Sequence, residues 1–391
     1  MWFDKPIVGT LTLRGRCCYG AKRMRGNLRK YIFLLLGVLA LGFFFYKFRN
    51  AITLEGFHWS VVGESLRRAN LALLVLAVVT TYVCFAIRAL RWMRFSRALG
   101  ETRFWNVYPA TLMGFSCTFL LGRAGEPIRP VLIARKDSLS IPHMFGVYVL
   151  ERVFDMAAAI VLAGSALLLF EKSGVSGDTE IMKVARSAGV ALLAALVVIV
   201  AFLIYLRYHG ASWLARKLQH ENWRTGWREK VAVLLEGFSD GLQGIRSASD
   251  LVVLVAYSAV HWVLVIVSYY LIAHSLGGEL AGLSFSAAAL VLAFTMVGSA
   301  AQLPGVGGGA QVASFLVLTL IFTIDKGEAA TAAVMFWLVT FASCSLAGIP
   351  LLFREGWSMG ELRQMARAEE QAGEAVLLAE AEHGTDKKIA P

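Results

Sequence analysis

The chain has 391 residues, of which 57% are hydrophobic and 17% charged, and its formal net charge is +11 at pH 7. Soluble domains carry about 25% charged and about 45–50% apolar residues, so this composition excludes an ordinary soluble enzyme and indicates a chain solvated by lipid. The Lys and Arg residues stand between long apolar runs, where they act as orientation signals, and this argues against nucleic acid as a partner. The five cysteines show no spacing typical of a zinc site or a disulfide framework.

Apolar segments of about 20 residues can span a bilayer. Segments that meet or approach this length are 31–49, 71–90, 143–170, 185–206, 251–275, 284–303 and 329–353, and the runs 104–121 and 310–324 are shorter or less apolar. The first run follows a basic tail and has no small-residue cleavage site, so we interpret it as a retained helix and not as a signal peptide. We predict an all-α, polytopic membrane helix bundle with about 7–8 spans, some of them re-entrant or broken.

The charges of the loops predict the topology. Loops on the cytoplasmic side of a membrane carry an excess of Lys and Arg. The tail 1–30 and the loops 88–103 and 207–250 are basic, whereas 171–184 is acidic and 276–283 has no Lys or Arg. We therefore predict that both termini and the loop 207–250 are cytoplasmic.

The run 104–121 does not fit this alternation as a single span. The stretch 122–136 is basic as well, so one crossing at 104–121 would place it outside and reverse every later loop. We predict that 104–140 is a re-entrant element, which survives at membrane depth when it is buried in protein or lines a polar cavity. Segment 284–324 fits either two spans or one re-entrant hairpin.

The first constellation with functional potential is the run GRAGEPIRP at 122–130. Two glycines and two prolines interrupt a helix here. Arg123 and Arg129 could hold a lipid phosphate, with Glu126 between them and freed backbone N–H groups as further donors. An ordinary turn with an Arg–Glu ion pair is the alternative.

The second constellation is ERVFD at 151–155, inside the apolar segment 143–170. The i, i+4 spacing places Glu151 and Asp155 on one helix face beside Arg152. A charge that faces lipid costs about 2.5–3.5 kcal/mol even on the mildest scale, so this face must point into the bundle. We expect Arg123 and Arg129 as the partners, either in a binding site or in a purely structural ion-pair network. His261, in segment 251–275, is interpreted as a hydrogen-bonded packing residue.

The third constellation is QLPGVGGGAQ at 302–311, a proline and four glycines between two apolar runs. This pattern predicts a broken helix, and half-helix N-termini of this kind bind anionic groups in transporters. A flexible hinge or a close helix crossing is the alternative. The predicted substrate-binding residues of the three constellations are Arg123, Glu126, Arg129, Glu151, Arg152, Asp155, Pro304, Gly305, Gly307, Gly308, Gly309 and Gln311.

At these motifs the chain resembles the flippase-like transmembrane region of bacterial lysylphosphatidylglycerol synthases and its stand-alone relatives. The resemblance depends on the stretch 88–100 and on the three constellations, and it extends from residue 30 to 354. It implies a helical bundle with re-entrant elements that binds or moves polar lipids. Gln311 departs from the family pattern, because members often carry a carboxylate just after the glycine run.

These observations predict a basic cytoplasmic tail at 1–30, a membrane domain at 31–354 and a cytoplasmic helical or disordered tail at 355–391. The last segment is too short to fold as the aminoacyltransferase domain of the full synthases, so we expect no enzymatic activity and no cofactor. The leading hypothesis is translocation of a phospholipid, glycolipid or isoprenoid-linked lipid between leaflets of a bacterial cytoplasmic membrane, with an oligomer possible. A membrane glycosyltransferase or its accessory that uses a polyprenyl-phosphate sugar, and a non-transporting lipid-binding scaffold, are the alternatives.

Overall fold

The computed structural model describes residues 59–170, 248–299 and 302–358 without 304 and 306, together with scattered positions in 187–198 and 360–364. The predicted segment 31–49, most of segment 185–206 and the loop 207–247 lie outside the described residues. The same holds for the tails 1–30 and 365–391, so the predictions made for these regions stay predictions.

The described chain is helical apart from one pair of two-residue strands. The helices are α1 Trp59–Arg67, α2 Leu71–Phe95, α3 Phe104–Leu121, α4 Ile128–Lys136, α5 Ile141–Phe170, α6 Ala248–Leu276, α7 Phe285–Gly298, α8 Gly309–Leu320, α9 Lys326–Trp337 and α10 Cys344–Arg354. Short 3₁₀ turns cover Ser96–Ala98, Gly122–Gly125 and Gly278–Gly282, and a π-helical turn at Leu338–Ala342 connects α9 to α10. Strands β1 Gln302–Leu303 and β2 Gly307–Gly308 pair antiparallel.

Three helical stretches of the described chain are long and apolar enough to cross a membrane: Leu71–Phe95, Ser249–Leu276 and Lys326–Arg354. In lipid, each backbone N–H and C=O must be satisfied inside the protein, which a helix achieves within its own segment. α2 starts at the N-cap Asn70, whose side-chain oxygen accepts from the amide of Ala72 at 3.0 Å. The backbone N–H of Asn70 in turn donates to the backbone carbonyl of Ser275 at 2.7 Å, so the start of α2 lies against the end of α6. The predicted all-α membrane bundle is confirmed.

The predicted loop 88–103 is wrong in its first half. α2 continues to Phe95, and Arg88 and Arg91 are 7% and 0% exposed on its buried face. This face repeats every three to four residues, as expected for a helix with one packed side. The two arginines continue that repeat because carboxylates on α5 compensate their charge, as described below.

Residues 104–136 form a helical hairpin, which we call the charged hairpin. Gly122, with φ of 67°, ends α3, and the chain turns so that α4 packs back along it. A Cβ atom on Gly114 of α3 would lie 2.5 Å from the Cβ of Arg129 on α4, so only glycine permits this approach. α4 has nine residues, or about 13 Å at about 1.5 Å per residue, too short for a core of about 30 Å. The hairpin has the shape of the predicted re-entrant element, whose depth in a membrane stays a prediction.

Residues 285–320 form a second hairpin, which contains no Asp, Glu, Lys or Arg and which we call the neutral hairpin. Its helices have 14 and 12 residues, which fits the hairpin of the two arrangements left open for 284–324, and its depth in a membrane stays a prediction. α7 ends at Gly298, earlier than the predicted 303, and α8 begins at Gly309. The turn between them is possible because Gly305, Gly307 and Gly308 adopt positive φ angles of 69°, 93° and 130°.

The two hairpins enter the bundle from opposite ends. The basic end contains 96–103, 137–140 and 355–357, and the other end contains 68–70, 277–284 and 321–328. At the basic end Lys136 forms an ion pair with Glu355, next to the open side of the charged hairpin. At the other end Arg68 forms an ion pair with Glu328, next to the open side of the neutral hairpin.

The tips of the hairpins meet inside the bundle. The amide of Gly305 donates to the carbonyl of Phe119 at 2.7 Å, and a guanidinium nitrogen of Arg123 donates to the carbonyl of Ser299 at 3.1 Å. One cluster of buried apolar side chains packs around the neutral hairpin and a second packs around the charged hairpin. The two interrupted segments that the sequence indicated are therefore neighbours.

Candidate functional site

A buried cluster of ion pairs lies between α2, α4 and α5. Glu151 and Asp155 of α5 are 0% and 7% exposed and lie on one helix face, as their spacing predicted. Arg91 donates to Asp155 at 2.6 Å and to Glu151 at 3.2 Å. Arg88 contacts Asp155 at 3.3 Å, and Arg129 forms an ion pair with Glu151. The carboxylates thus hold three buried arginines from two other helices.

Of the two arginines predicted to pair with Glu151 and Asp155, one does so and the other does not. Arg129 does pair with Glu151, but the nearest carboxylate to Arg123 is Glu126, at 3.9 Å, and its firmer contact is the Ser299 carbonyl. Arg88 and Arg91 were missed because their charges count equally well as cytoplasmic loop charges. The signal that could have found them is the helical repeat, since both continue the buried face of α2.

Arg129 is held by aromatic rings as well as by charge. Its guanidinium carbon lies 4.6 Å from the ring centroid of Trp92 and 5.4 Å from that of Phe115. Contacts of this kind are stronger where water is excluded, and Arg129 is 3% exposed. The glycine at 114 leaves the space in which its stem lies. The guanidinium is therefore fixed in orientation beside Glu151.

Arg152 of α5 lies at the edge of the buried cluster and is partly exposed. Its guanidinium lies 3.6 Å from Glu151, 3.7 Å from Asp155 and 3.9 Å from Glu126. The hydroxyl of Tyr148 donates to Glu126 at 2.7 Å. Arg152 therefore connects the carboxylates of α5 with the tip of the charged hairpin.

His261 of α6 contacts the same cluster. Its Nδ1 lies 3.2 Å from the carbonyl of Cys84 and its Nε2 lies 3.3 Å from a guanidinium nitrogen of Arg88. A carbonyl only accepts, so Nδ1 carries the proton and Nε2 accepts from Arg88. His261 is thus a neutral, buried acceptor that fixes Arg88, in agreement with its interpretation as a hydrogen-bonded residue.

A cavity of 530 Å³ lies where the two hairpin tips, α2, α5, α6 and the α9–α10 stretch converge. Its volume is in the range of sites that hold a small organic ligand, about 300–1,000 Å³. The charged part of its wall consists of four arginines and two carboxylates, namely Arg88, Arg123, Arg129, Arg152, Glu126 and Asp155. The remaining wall is uncharged and contains aromatic, aliphatic and hydroxyl side chains, among them Phe115, Trp262, Tyr269, Leu292, Thr295, Trp337, Thr340 and Phe341.

The structure brings together half of the predicted site residues. Those that line the cavity are Arg123, Glu126, Arg129, Arg152, Asp155 and Gly307. Glu151 lies behind the wall, where it holds Arg129. Gly305, Gly308, Gly309 and Gln311 shape the tip of the neutral hairpin without lining the cavity, and Gln311 accepts from the amide of Gly308 at 2.6 Å. Pro304 lies outside the described residues. Gln302, also in the predicted glycine run, lines the cavity.

The fold and the cavity define a class of protein: a multi-pass helical membrane protein with an internal charged cavity between two opposed hairpins. The chain belongs to the family described as the lysylphosphatidylglycerol synthase TM region, which matches residues 32–348. It is also similar to a UPF0104 membrane protein of Methanothermobacter thermautotrophicus, with 24% identity over 316 residues, 77% of this chain and 90% of that protein. The resemblance that the motifs indicated is therefore confirmed.

Proposed function

We propose that this protein binds a lipid with an anionic headgroup in the cavity and moves it between the leaflets of the membrane. The observation that carries the proposal is the charge of the wall. Four arginines and two carboxylates line the cavity, and the charges of Arg91 and Glu151 behind the wall cancel each other. The cluster therefore keeps two positive charges in excess.

An anionic group would complete this cluster. A charge in the membrane interior without compensation costs about 2.5–3.5 kcal/mol even on the mildest scale. A phosphate offers the geometry that guanidinium groups match best, because two parallel N–H donors reach two of its oxygens. Arg123 and Arg152 are the most exposed of the wall arginines, with side chains 53% and 37% accessible. They are the groups that a phosphate would reach first.

The uncharged part of the wall suits the rest of an amphipathic molecule. Two apolar residues that line the cavity, Met156 of α5 and Val297 of α7, are 60% and 76% exposed. In a membrane this surface contacts lipid tails. The cavity therefore borders the lipid phase beside the tip of the neutral hairpin, where an acyl or isoprenoid chain could remain outside while the headgroup enters.

The opposed hairpins support transport over simple binding. Paired broken helices that meet at a central site, each open towards one side, are the arrangement with which many transporters expose one site to either side in turn. The carboxylates Glu151 and Asp155 are engaged by at least two arginines each, which suits a role in holding arginines and not in covalent chemistry. We therefore propose a translocator and not an enzyme.

We further propose that the basic end faces the cytoplasm of a bacterial inner membrane. Its exposed arginines include Arg94 and Arg97, whereas the other end carries Glu279, Asp325 and Glu328 beside its basic residues. In a variant without Cys17 and Cys18, the new thiol of Ser138→Cys should react with a thiol reagent only from the cytoplasmic side. The new thiol of Gly282→Cys should react only from outside. The reverse pattern would contradict this orientation.

The test of transport is lipid exchange in liposomes that contain the purified full-length protein. Tail-labelled phosphatidic acid should become accessible from the opposite leaflet faster than in protein-free liposomes. Arg152→Gln should slow this exchange about tenfold, as expected for the loss of a hydrogen bond to a charged group. Arg97→Gln, an exposed arginine at the basic end, is the matched control and should exchange lipid at the rate of the unaltered protein.

Two results would separate the alternatives. Saturable binding of phosphatidic acid without accelerated exchange would reject translocation and leave a lipid-binding scaffold. Equal exchange rates in Arg152→Gln and Arg97→Gln would reject the cavity as the route.

A further inference from the structure

The ion pairs at the cavity form one connected set whose charges do not balance. Its members are five arginines and three carboxylates from α2, α4, α5 and the tip of the charged hairpin, namely Arg88, Arg91, Arg123, Arg129, Arg152, Glu126, Glu151 and Asp155. His261 of α6, which also contacts the set, is neutral. The described residues therefore leave two positive charges of this set without a carboxylate.

Arg152 has hydrogen-bond donors that no described residue uses. Its guanidinium lies 3.6 Å from Glu151, 3.7 Å from Asp155 and 3.9 Å from Glu126, so it is attracted by all three carboxylates but donates a hydrogen bond to none of them. Its Nε atom is buried, whereas the side chain as a whole is 37% accessible and lines the cavity. Unpaired donors of a charged group in such a position call for a partner, which a ligand can supply.

Arg123 lies on the other side of the Glu126 carboxylate. Nη1 of Arg123 is 3.9 Å from Oε1 of Glu126, and Nη1 of Arg152 is 3.9 Å from Oε2 of the same group. The hydroxyl of Tyr148 donates to Oε2 as well, at 2.7 Å, and fixes the carboxylate between the two guanidinium groups. The two most accessible arginines of the cavity wall are thus close enough together to act on one ligand.

The size of the charge excess favours one form of phosphate. A phosphate monoester offers three terminal oxygens and carries up to two negative charges, whereas a diester offers two such oxygens and carries one. A charge without compensation is costly in the membrane interior. A doubly charged monoester would neutralise the set, and a diester would leave one positive charge uncompensated.

We propose that the lipid selected by the cavity carries a terminal phosphate monoester, held by Arg123 and Arg152. The inference rests on the proposed function, which requires only an anionic headgroup, and narrows it to lipids whose phosphate has no further substituent. Each guanidinium donates to the terminal oxygens, and a diester binds the same arginines more weakly.

The experiment compares two short-chain lipids that differ by one methyl group on the phosphate, dioctanoyl phosphatidic acid and dioctanoyl phosphatidylmethanol. Their affinities for the full-length protein in detergent are measured at about pH 8 and about pH 5. The second ionisation of a phosphate monoester occurs at about pH 6, so only phosphatidic acid at the higher pH is doubly charged. The unaltered protein should then prefer it about tenfold, as expected for one more hydrogen bond to a charged group, and should show no preference at the lower pH.

The ratio of the two affinities at each pH removes any titration of the protein that affects both lipids. Arg152→Gln leaves one positive charge in excess and should abolish the preference at the higher pH. Arg123→Gln lowers the charge in the same way, which keeps the test valid if Arg152→Gln fails to fold. Arg97→Gln, an exposed arginine at the basic end, is the matched control and should keep the preference of the unaltered protein.

A competition with inorganic phosphate distinguishes a lipid from a soluble phosphate. Inorganic phosphate lacks the apolar chains, so at equal concentration it should not displace phosphatidic acid. Displacement at equal concentration would show that the site takes a soluble phosphate and would overturn the lipid as its ligand.

The remaining failures are distinct. A preference that is absent at the higher pH, that persists at the lower pH, or that survives in both cavity variants would refute the monoester while the proposed function stands. If the unaltered protein binds neither lipid, the proposed function fails and the monoester with it.

Discussion

The charged hairpin and the neutral hairpin have the same shape but are stabilised differently. Both are short helix pairs that reverse at glycines and meet tip to tip. The charged hairpin is fixed by guanidinium groups and carboxylates, above all Arg129 and Glu151. The neutral hairpin is fixed by close backbone packing, such as that of Gly298 against Gly309, and by hydrogen bonds within its tip. The difference indicates a division of roles, in which one hairpin supplies fixed charge and the other supplies shape.

The largest expected loss of stability follows removal of the carboxylate of Glu151 on α5, which forms an ion pair with Arg129 of the charged hairpin. Glu151→Gln leaves buried arginines without full compensation, so we expect a loss of about 3–5 kcal/mol of stability, measured as a lower melting temperature in detergent. Glu355→Gln removes a carboxylate from a surface ion pair with Lys136 and is the matched control, with an expected cost below about 1 kcal/mol. Equal costs in the two variants would show that charge does not hold the charged hairpin.

The next largest loss of stability is expected where the backbone packs closely in each hairpin. A Cβ atom on Gly125 would lie 2.7 Å from the amide nitrogen of Thr118, and one on Gly298 would lie 2.6 Å from the Cβ of Ala313. Both alanine variants should lose about 1–3 kcal/mol because a close contact is forced apart. Gly63→Ala, where nothing lies within 4 Å of the new Cβ, is the control.

Thermal unfolding of the three glycine variants provides the measurement. If Gly125→Ala is harmless while Gly298→Ala is not, close packing matters only in the neutral hairpin. If both match Gly63→Ala, the tight reversals are not required by either hairpin.

A smaller effect is expected at the contact between the tips. Arg123→Gln removes a half-exposed charge that donates to the Ser299 carbonyl. We expect almost unchanged stability but an affinity for dioctanoyl phosphatidic acid that is about tenfold lower, as for the loss of a hydrogen bond to a charged group. Arg97→Gln is the control. Identical affinities in the two variants would mean that the tip of the charged hairpin does not contact the headgroup.

The smallest expected effect is a loss of stability at the tip of the neutral hairpin. Gln311→Ala removes the acceptor for the Gly308 amide at the start of α8 and should cost about 1 kcal/mol of stability, as for the loss of other N-terminal caps. Gln311→Glu restores an acceptor and should restore the melting temperature. A penalty in Gln311→Glu as large as in Gln311→Ala would show that the side chain acts in another way.

The sequence predicted the parts of this site whose signals are local. Interrupted helices at 122–130 and 302–311 follow from Gly and Pro, and the shared face of Glu151 and Asp155 follows from helical spacing. The role of Arg88 and Arg91 could not be separated from that of Arg94 and Arg97 by the charge rule, because burial is decided by α5 and α6. Trp262 and Trp337, which line the cavity, were missed for a related reason, since only the packed bundle shows which apolar side chains face it.

The absence of charge in residues 285–320 has an electrical consequence. A membrane potential of about 100 mV does about 2.3 kcal/mol of work on each elementary charge moved across it. Displacement of the charged hairpin, with Arg123 and Arg129, would therefore be driven or opposed by the voltage. The neutral hairpin could move through the same field with no work done on side-chain charges. A rate-limiting step that consists of its movement alone would be insensitive to voltage.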